Sequence, residues 1–252
     1  MIVPKRFSEA LGLWAGGLVA PMFAIGSLLR QERVFHARGL YVRAEVEAAE
    51  GVHPALEPLV EALTQSDALM RLSAGLYKGN LGLLPDVLGM AIRFGGDPAQ
   101  GFMPRLGAQD LTLITARRIL ALPLAMLATD QQDFLANVFH GAGPFEIAGH
   151  PWMRIRVKPL GVPVPASSRD RFARLRAAIE AGEVRFRLEI ESMLDASLGS
   201  AVVDLHLVEE VEVDEETLGF WPFRRGQPIR PMGLVQFMRP VPYLLSEWAR
   251  KV

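Results

Sequence analysis

The chain contains no cysteine among its 252 residues. This absence excludes disulfide bridges, zinc or iron–sulfur sites held by thiolates, and catalysis by a thiol nucleophile. Tyrosine is also scarce, since the sequence holds only Tyr41, Tyr77 and Tyr243. Any metal or proton chemistry must therefore use oxygen and nitrogen groups, with few phenols among them.

The sequence also has no excess of positive or negative charge. The 27 basic residues are balanced by 28 acidic ones, which leaves a formal net charge of -1. A protein that binds duplex nucleic acid needs a basic face, so the balance argues against nucleic acid as a partner. No two of the five histidines have the spacing of a helical His-Glu-x-x-His metal site. The sequence therefore assigns no metal ligands.

One long uncharged run is present, from Leu11 to Leu29, and it follows Lys5 and Arg6. Its length approaches that of a membrane span, although Pro21 and several glycines lower its helix propensity. We predict an apolar helical segment over residues 1–32 and a separate domain over residues 33–252. For the segment, three alternatives stay open: a buried or oligomer-facing helix, a membrane-associated helix, and a true span or signal sequence.

Alternation of apolar and polar residues predicts a sheet. Strands are predicted at 40–48, 89–94, 110–115, 152–158, 185–192 and 202–213, and helices at 54–63, 128–139, 169–182 and 241–250. About six to eight strands interrupted irregularly by helices predict an α+β fold with a mainly antiparallel sheet. Closure into a barrel is the simplest way for such a sheet to remove its exposed edges.

A histidine stands between the apolar run and the first predicted strand. The segment Arg33-Val34-Phe35-His36-Ala37-Arg38-Gly39 leads directly into residues 40–48. A histidine at the mouth of a sheet is well placed for proton transfer, because the pKa of imidazole lies near neutral pH. His36 is therefore the candidate catalytic residue, and a structural role at the strand end is the alternative.

Five segments, in the same order along the chain, resemble segments of haem catalases. The His36 segment resembles the one that carries their distal histidine, Arg71-Leu72-Ser73 resembles an Arg-Phe-Ser segment, and residues 85–94 resemble the strand that follows it. Residues 178–182, and Trp221-Pro222 with residues 239–243, are similar to later catalase segments. The resemblance extends over most of residues 33–248.

The resemblance implies an antiparallel catalase barrel of about eight strands with added helices, and a haem pocket on one side of it. It implies that His36 is the distal acid/base, that Arg71 approaches a haem propionate, and that Phe94 packs near the haem or in the barrel. Neutral imidazole can take a proton from peroxide and return it to the departing oxygen. Arginine suits a propionate because its guanidinium forms paired, charge-assisted hydrogen bonds.

Two features depart from the catalase pattern. Ile114 stands where the resemblance implies a distal asparagine, and isoleucine cannot hydrogen-bond peroxide. The proximal tyrosinate of catalases lies beyond the segment that Tyr243 resembles, whereas this sequence ends at Val252. Haem would then need another axial residue, such as a histidine, or would not bind. Efficient disproportionation of peroxide is therefore not expected.

These observations lead to two hypotheses of function. The first is a haem-dependent peroxidase or peroxygenase that acts on hydrogen peroxide or on an organic or lipid hydroperoxide. The second is a haem-free catalase-like barrel that binds an apolar ligand or a membrane surface, with residues 11–29 as the contact element. We expect a cytoplasmic protein, either membrane-associated or self-associating through its N-terminal helix. A hydrolase is disfavoured because no Gly-x-Ser-x-Gly string is present.

Overall fold

A computed structural model describes residues 3–30, 39–75, 86–117, 122–161, 170–215, 217–224, 226 and 228–250, with only the backbone described at 22–30, 122–124 and 246–250. The strands are β1 (Gly39–Ala48), β2 (Ala68–Ala74), β3 (Leu88–Asp97), β4 (Met103–Ile114), β5 (Phe139–Gly141), β6 (Phe145–Ile147), β7 (His150–Leu160), β8 (Arg185–Ser192), β9 (Ser200–Glu210) and β10 (Ile229–Pro231). The α-helices are α1 (Phe7–Arg30), α2 (Glu57–Leu63), α3 (Leu122–Ala128), α4 (Arg171–Glu180), α5 (Gly233–Phe237) and α6 (Pro240–Arg250).

The strands form one antiparallel sheet whose ends meet. Its order is β10-β6-β7-β5-β4-β3-β2-β1-β9-β8, and an additional pairing of β7 with β8 closes eight of the strands into a ring. The short strands β6 and β10 extend the sheet beside β7. The predicted α+β fold with about eight antiparallel strands is confirmed. The division at residue 32 into a helical segment and a separate domain stays a prediction.

Alternate residues of every strand in the ring face one continuous apolar core. In β1 these residues are Leu40, Val42 and Ala44, and β2 to β5 and β7 to β9 contribute in the same way. Residues of α2 and α4 join the same cluster. A cluster shared by all eight strands of a closed ring must occupy its interior, so the intervening residues face outward.

Among the described residues, the outer face is covered over β1 and β2 and is more exposed over β8 and β9. Residues 211–224, of which all but position 216 are described, pack over β1 and β2, where Phe220 joins a second apolar cluster with Tyr41 and Leu69. Every residue of β2 is therefore buried. Alternation is absent from a strand buried on both faces, which explains why the sequence pattern did not predict β2.

One predicted helix is wrong. Residues 128–139 were expected to be helical, but the helix α3 ends at Ala128, and a single 3-10 turn at Phe134–Ala136 precedes β5. Asp133 caps that turn by accepting a hydrogen bond from the backbone of Leu135, 2.8 Å long. Side-chain capping of this kind competes with continuous helix, so acidic residues here mark a turn.

The uncharged run predicted from Leu11 to Leu29 lies within α1, which begins at Phe7 and continues through Pro21. It packs against α5 and α6, so the first helix meets the last two. Among the helices of the described residues, none combines the length and the apolar character that crossing a bilayer would require.

Candidate functional site on the outer face of β1–β4

The outer face of β1–β4 carries the candidate site, and its middle row of side chains contains Arg71. The strand register places Tyr41, Arg71, Ala91 and Thr112 side by side across the four strands. Arg71 is buried, with its guanidinium carbon 5.3 Å from the centroid of the Tyr41 ring. The predicted anion-binding arginine therefore lies on the outside of the ring, beneath covering residues.

The guanidinium of Arg71 lies directly against Gly39. A Cβ atom on Gly39 would lie only 2.7 Å from the guanidinium carbon of Arg71, so any side chain at position 39 would displace it. Gly39 follows His36 by three residues in the sequence. His36 itself lies outside the described residues, and its role as acid/base stays a prediction.

The hydroxyl of Tyr41 is a second feature of this row. Tyr41 is buried, stacks on Phe220 with ring centroids 6.5 Å apart, and has no hydrogen-bond partner for its hydroxyl among the described residues. A buried hydroxyl without a partner costs free energy, so such groups commonly contact a ligand or water. Tyr41 and Arg71 thus bring two polar groups into one covered position.

The next row consists of small side chains and ends at a histidine. Gly39, Ser73, Gly89 and Ile114 are adjacent in the register, and Ile114 pairs in turn with His140 on β5. Three of the four strands carry almost no side chain in this row, and the guanidinium of Arg71 lies over Gly39. Ile114, at the position that resembles the catalase asparagine, offers no hydrogen-bonding group.

His140 faces outward beside Ile114, because the preceding residue Phe139 points into the core. Burial lowers the pKa of His140 from its ordinary value of 6.5, and the positive charges of Arg117 and Arg156 lower it further. The imidazole is therefore neutral at physiological pH and can accept a proton or coordinate a metal. The sequence contained no signal for this residue beyond a histidine after an apolar one.

Two further residues complete this side of the face: Tyr243 of α6, and Arg239, which directly precedes that helix. Arg239 donates a hydrogen bond of 2.6 Å to the hydroxyl of Thr112 on β4 and one of 3.2 Å to the hydroxyl of Tyr243. The guanidinium carbon also lies 5.4 Å from the centre of the Tyr243 ring. Sequence reasoning missed this pair, although a spacing of four residues at the start of a helix could have revealed it.

The third row contains a buried ion pair, Arg93 with Asp110, which also binds the covering segment, residues 211–224. Arg93 and Asp110 are directly opposite in the register and form two hydrogen bonds, of 2.7 and 2.8 Å. The Asp110 carboxylate also accepts from the backbone of Trp221, 2.8 Å away, and from Arg224, 3.0 Å away. Trp221 packs edge-on against Tyr243 at 6.3 Å, so this row positions the phenol above it.

The remaining predicted site residue lies elsewhere. Phe94 faces the ring interior, where it is part of the apolar core, so of its two expected positions it takes the one inside the barrel. In the described part of the chain, no group of three or more His, Asp or Glu residues is arranged to hold a metal ion. The candidate site thus consists of single polar side chains from several strands and from α6, without a metal-binding cluster among the described residues.

No protein-family model matches this chain, and no curated protein matches it either. Among solved structures, a fungal catalase superposes with a TM-score of 0.56 and 12% identity, covering 86% of this chain and 59% of its own. Catalase A from Saccharomyces cerevisiae superposes with a TM-score of 0.56 and 11% identity, covering 90% of this chain and 63% of its own.

The chain has a catalase-like fold. This confirms the resemblance that the five collinear segments indicated, at the level of the fold. The chain spans about six tenths of the length of these two catalases, 59% and 63%. At such low identity the likeness assigns the catalase-like fold and no residue roles, so the chemistry has to be argued from the outer face itself.

Proposed function

We propose that this chain is a catalase-related haem protein, a peroxidase or peroxygenase whose haem lies against the outer face of β1–β4. The observation that carries the proposal is the buried Arg71 resting on Gly39, at the start of the strand that His36 precedes. An anion-binding arginine and a proton-transferring histidine would then serve one bound group. Its substrate is hydrogen peroxide or an organic hydroperoxide.

The residues of the face fit a flat group that carries carboxylates. Arg71 would hold a propionate by charge-assisted hydrogen bonds. Beside Arg71, the row of Ser73 and Gly89 carries little side-chain volume, and the buried hydroxyl of Tyr41 would gain a partner. Each of these features is explained by one planar, anionic ligand.

Three described side chains of this face carry an atom that could hold the haem iron. They are the neutral imidazole of His140, the hydroxyl of Tyr243, which Arg239 holds in place, and the buried hydroxyl of Tyr41. Histidine and tyrosine are both axial ligands of haem in proteins. The first agrees with the expectation that a histidine replaces the tyrosinate of catalases.

Haem, when bound, supplies the redox chemistry with the peroxide. The residues of the chain supply proton transfer and selectivity: His36 takes the peroxide proton on an imidazole nitrogen and returns it to the departing oxygen. Ile114 and Ala91 offer no hydrogen bond at this face. At these two positions the alkyl chain of an organic or lipid hydroperoxide would gain burial, which hydrogen peroxide cannot.

Haem titration of the purified full-length chain tests the proposal. A Soret band should form on addition of haem, and Arg71→Ala should weaken haem binding about 10-fold to 100-fold, the value of hydrogen bonds to a charged group. His36→Ala should retain the Soret band and lower peroxide-dependent turnover about 100-fold or more.

Arg187→Ala is the matched control, because Arg187 is an outward-facing arginine on β8, on the open side of the ring. This variant should bind haem like the parent chain. A folded chain that gives no Soret band with excess haem would overturn the proposal in favour of the haem-free alternative. That alternative would have to place its apolar ligand outside the ring, since core side chains occupy the interior.

A further inference from the structure

Over residues 7–21, whose side chains the structure describes, every exposed residue of α1 is apolar. Phe7, Trp14 and Leu18 have 85%, 67% and 63% of their surface exposed, and Leu11 lies between them on the same side. The spacing of four, three and four residues places these side chains in one line along the helix. Large apolar side chains exposed as a continuous line mark an interaction surface, whereas scattered ones do not.

The orientation of this line is fixed by the opposite side of α1. Gly12 and Gly16 lie directly on the backbone carbonyls of Leu234 and Met238, where a Cβ atom would collide. Glu9 is fully buried and forms hydrogen bonds of 2.6 and 3.1 Å with Arg230. The helix cannot rotate to hide Phe7 or Trp14 without breaking these contacts.

Charge is distributed unevenly around this surface. The only acidic residue of α1, Glu9, is turned into the protein, and the run from Leu11 to Leu29 has no charged residue. Lys5, just before the helix, is exposed and forms an ion pair of 3.4 Å with Glu146. A face of aromatic and aliphatic side chains that itself carries no carboxylate suits a membrane interface, where tryptophan is enriched.

The size of the surface distinguishes a lipid partner from a second copy of the chain. At the exposed fractions of Phe7, Leu11, Trp14 and Leu18, these four side chains present roughly 500 Å² of accessible surface. A stable protein interface takes about 800 Å² from each partner. The line of α1 alone is too small for that, whereas insertion into a bilayer interface needs no complementary partner surface.

We propose that the outer face of α1 docks the protein on a lipid bilayer surface, with Phe7, Leu11, Trp14 and Leu18 inserted among the headgroups. The helix lies parallel to the membrane, because its other side stays packed on α5 and α6. The docking is independent of haem. It would bring the catalase-like ring to a place where hydroperoxides of lipids are found, but it holds for the apo protein as well.

Flotation of the full-length chain with vesicles of phosphatidylcholine and phosphatidylglycerol tests this proposal. The parent chain should float with the vesicles, and a Trp14→Ser, Leu18→Ser double variant should bind at least about tenfold more weakly, since each large apolar side chain is worth that factor on burial. Leu106→Ser and Leu194→Ser replace exposed leucines away from α1 and should float like the parent.

A second measurement reports insertion directly. Because the chain has no cysteine, an environment-sensitive dye can be attached at Leu18→Cys and, as a control, at Leu194→Cys. Vesicles should shift the emission of the first dye to the blue and leave the second unchanged. Equal flotation of parent and double variant, or no flotation of either, would overturn the proposal. If the parent chain did not float but formed a dimer in solution, and the double variant did not form that dimer, the surface would be assigned to a second copy of the chain.

Discussion

Two ion pairs of this ring have the same geometry and different surroundings. Arg93 and Asp110 face each other across β3 and β4 with hydrogen bonds of 2.7 and 2.8 Å, and both side chains are 0% exposed. Arg187 and Asp204 face each other across β8 and β9 with two bonds of 2.7 Å, at 29% and 18% exposure. The covering segment 211–224 accounts for the difference.

The position of a charged pair in the ring, rather than the strand pattern, determines whether the pair is buried or exposed to water. On the open side, β7 to β9 carry a ladder of surface pairs that water can replace, such as Arg156 with Glu191. On the covered side, the carboxylate of Asp110 holds Arg93, Arg224 and the backbone of Trp221 together. A charge removed there leaves partners that water cannot reach.

The largest expected effect is from Asp110→Asn. The substitution should lower the free energy of unfolding by about 3–5 kcal/mol, because it leaves buried Arg93 without its counter-charge. Asp204→Asn is the matched control and should cost no more than about 1 kcal/mol, with an effect that shrinks as salt is added. Urea unfolding followed by circular dichroism measures both. Equal losses for the two variants would show that segment 211–224 does not exclude water.

A smaller effect is expected from Glu9→Gln, which extends the comparison to the pair that anchors α1. Burial alone would raise the pKa of Glu9, but hydrogen bonds from Arg230 and from the backbone of Lys5, with the charge of Arg230, lower it below its ordinary value of 4.5. A lowered pKa in the folded state stabilises the fold above pH 4.5, and this contribution is lost as pH falls below it.

The Glu9→Gln variant should therefore be less stable than the parent by about 1.5–3 kcal/mol at neutral pH, as expected for a hydrogen bond to a charged group. Its loss of stability in acid should be shallower, because position 9 no longer titrates. Urea midpoints measured at several pH values below neutrality check this. Parallel pH profiles for parent and variant would contradict the buried pairing of Glu9 with Arg230.

The smallest effect concerns His140, which stands at the border between the covered and open sides. Its pKa is lowered from 6.5 by burial first and then by Arg117 and Arg156. A proton NMR titration should place its midpoint below 6.5, and Arg156→Gln should raise that midpoint. Stability linked to this residue is complete above pH 6.5 and falls as the pH drops. A midpoint at 6.5 would place His140 in open solvent.

Much of the fold follows from local sequence pattern. The alternating segments predicted at 40–48 and 185–192 correspond to β1 and β8, because one face of each strand is apolar and the other polar. The strand β2 was missed because both of its faces are buried, and residues 128–139 were assigned to a helix that capping aspartates interrupt. Periodicity reports one buried face, so it fails where tertiary contacts bury two.

The candidate site was less predictable than the fold. Arg71 was identified from its resemblance to catalases, and the structure places it on the covered face. His140 lies beside Ile114, and Arg239 contacts both Thr112 and Tyr243. Apart from the contact of Arg239 with Tyr243, these contacts join segments that are distant in the sequence, so only the closed ring brings them together. Helical spacing between residues 239 and 243 was the one local signal available.

The contact of Glu9 with Arg230 has a consequence for the order of events during synthesis. Its partners are 221 positions apart, so α1 leaves the ribosome long before the residue that anchors it. At ordinary rates of translation the delay is roughly 10 to 45 seconds. During that interval both sides of α1 lack their folded-state contacts, and chaperones or a bilayer can capture the helix before the ring exists.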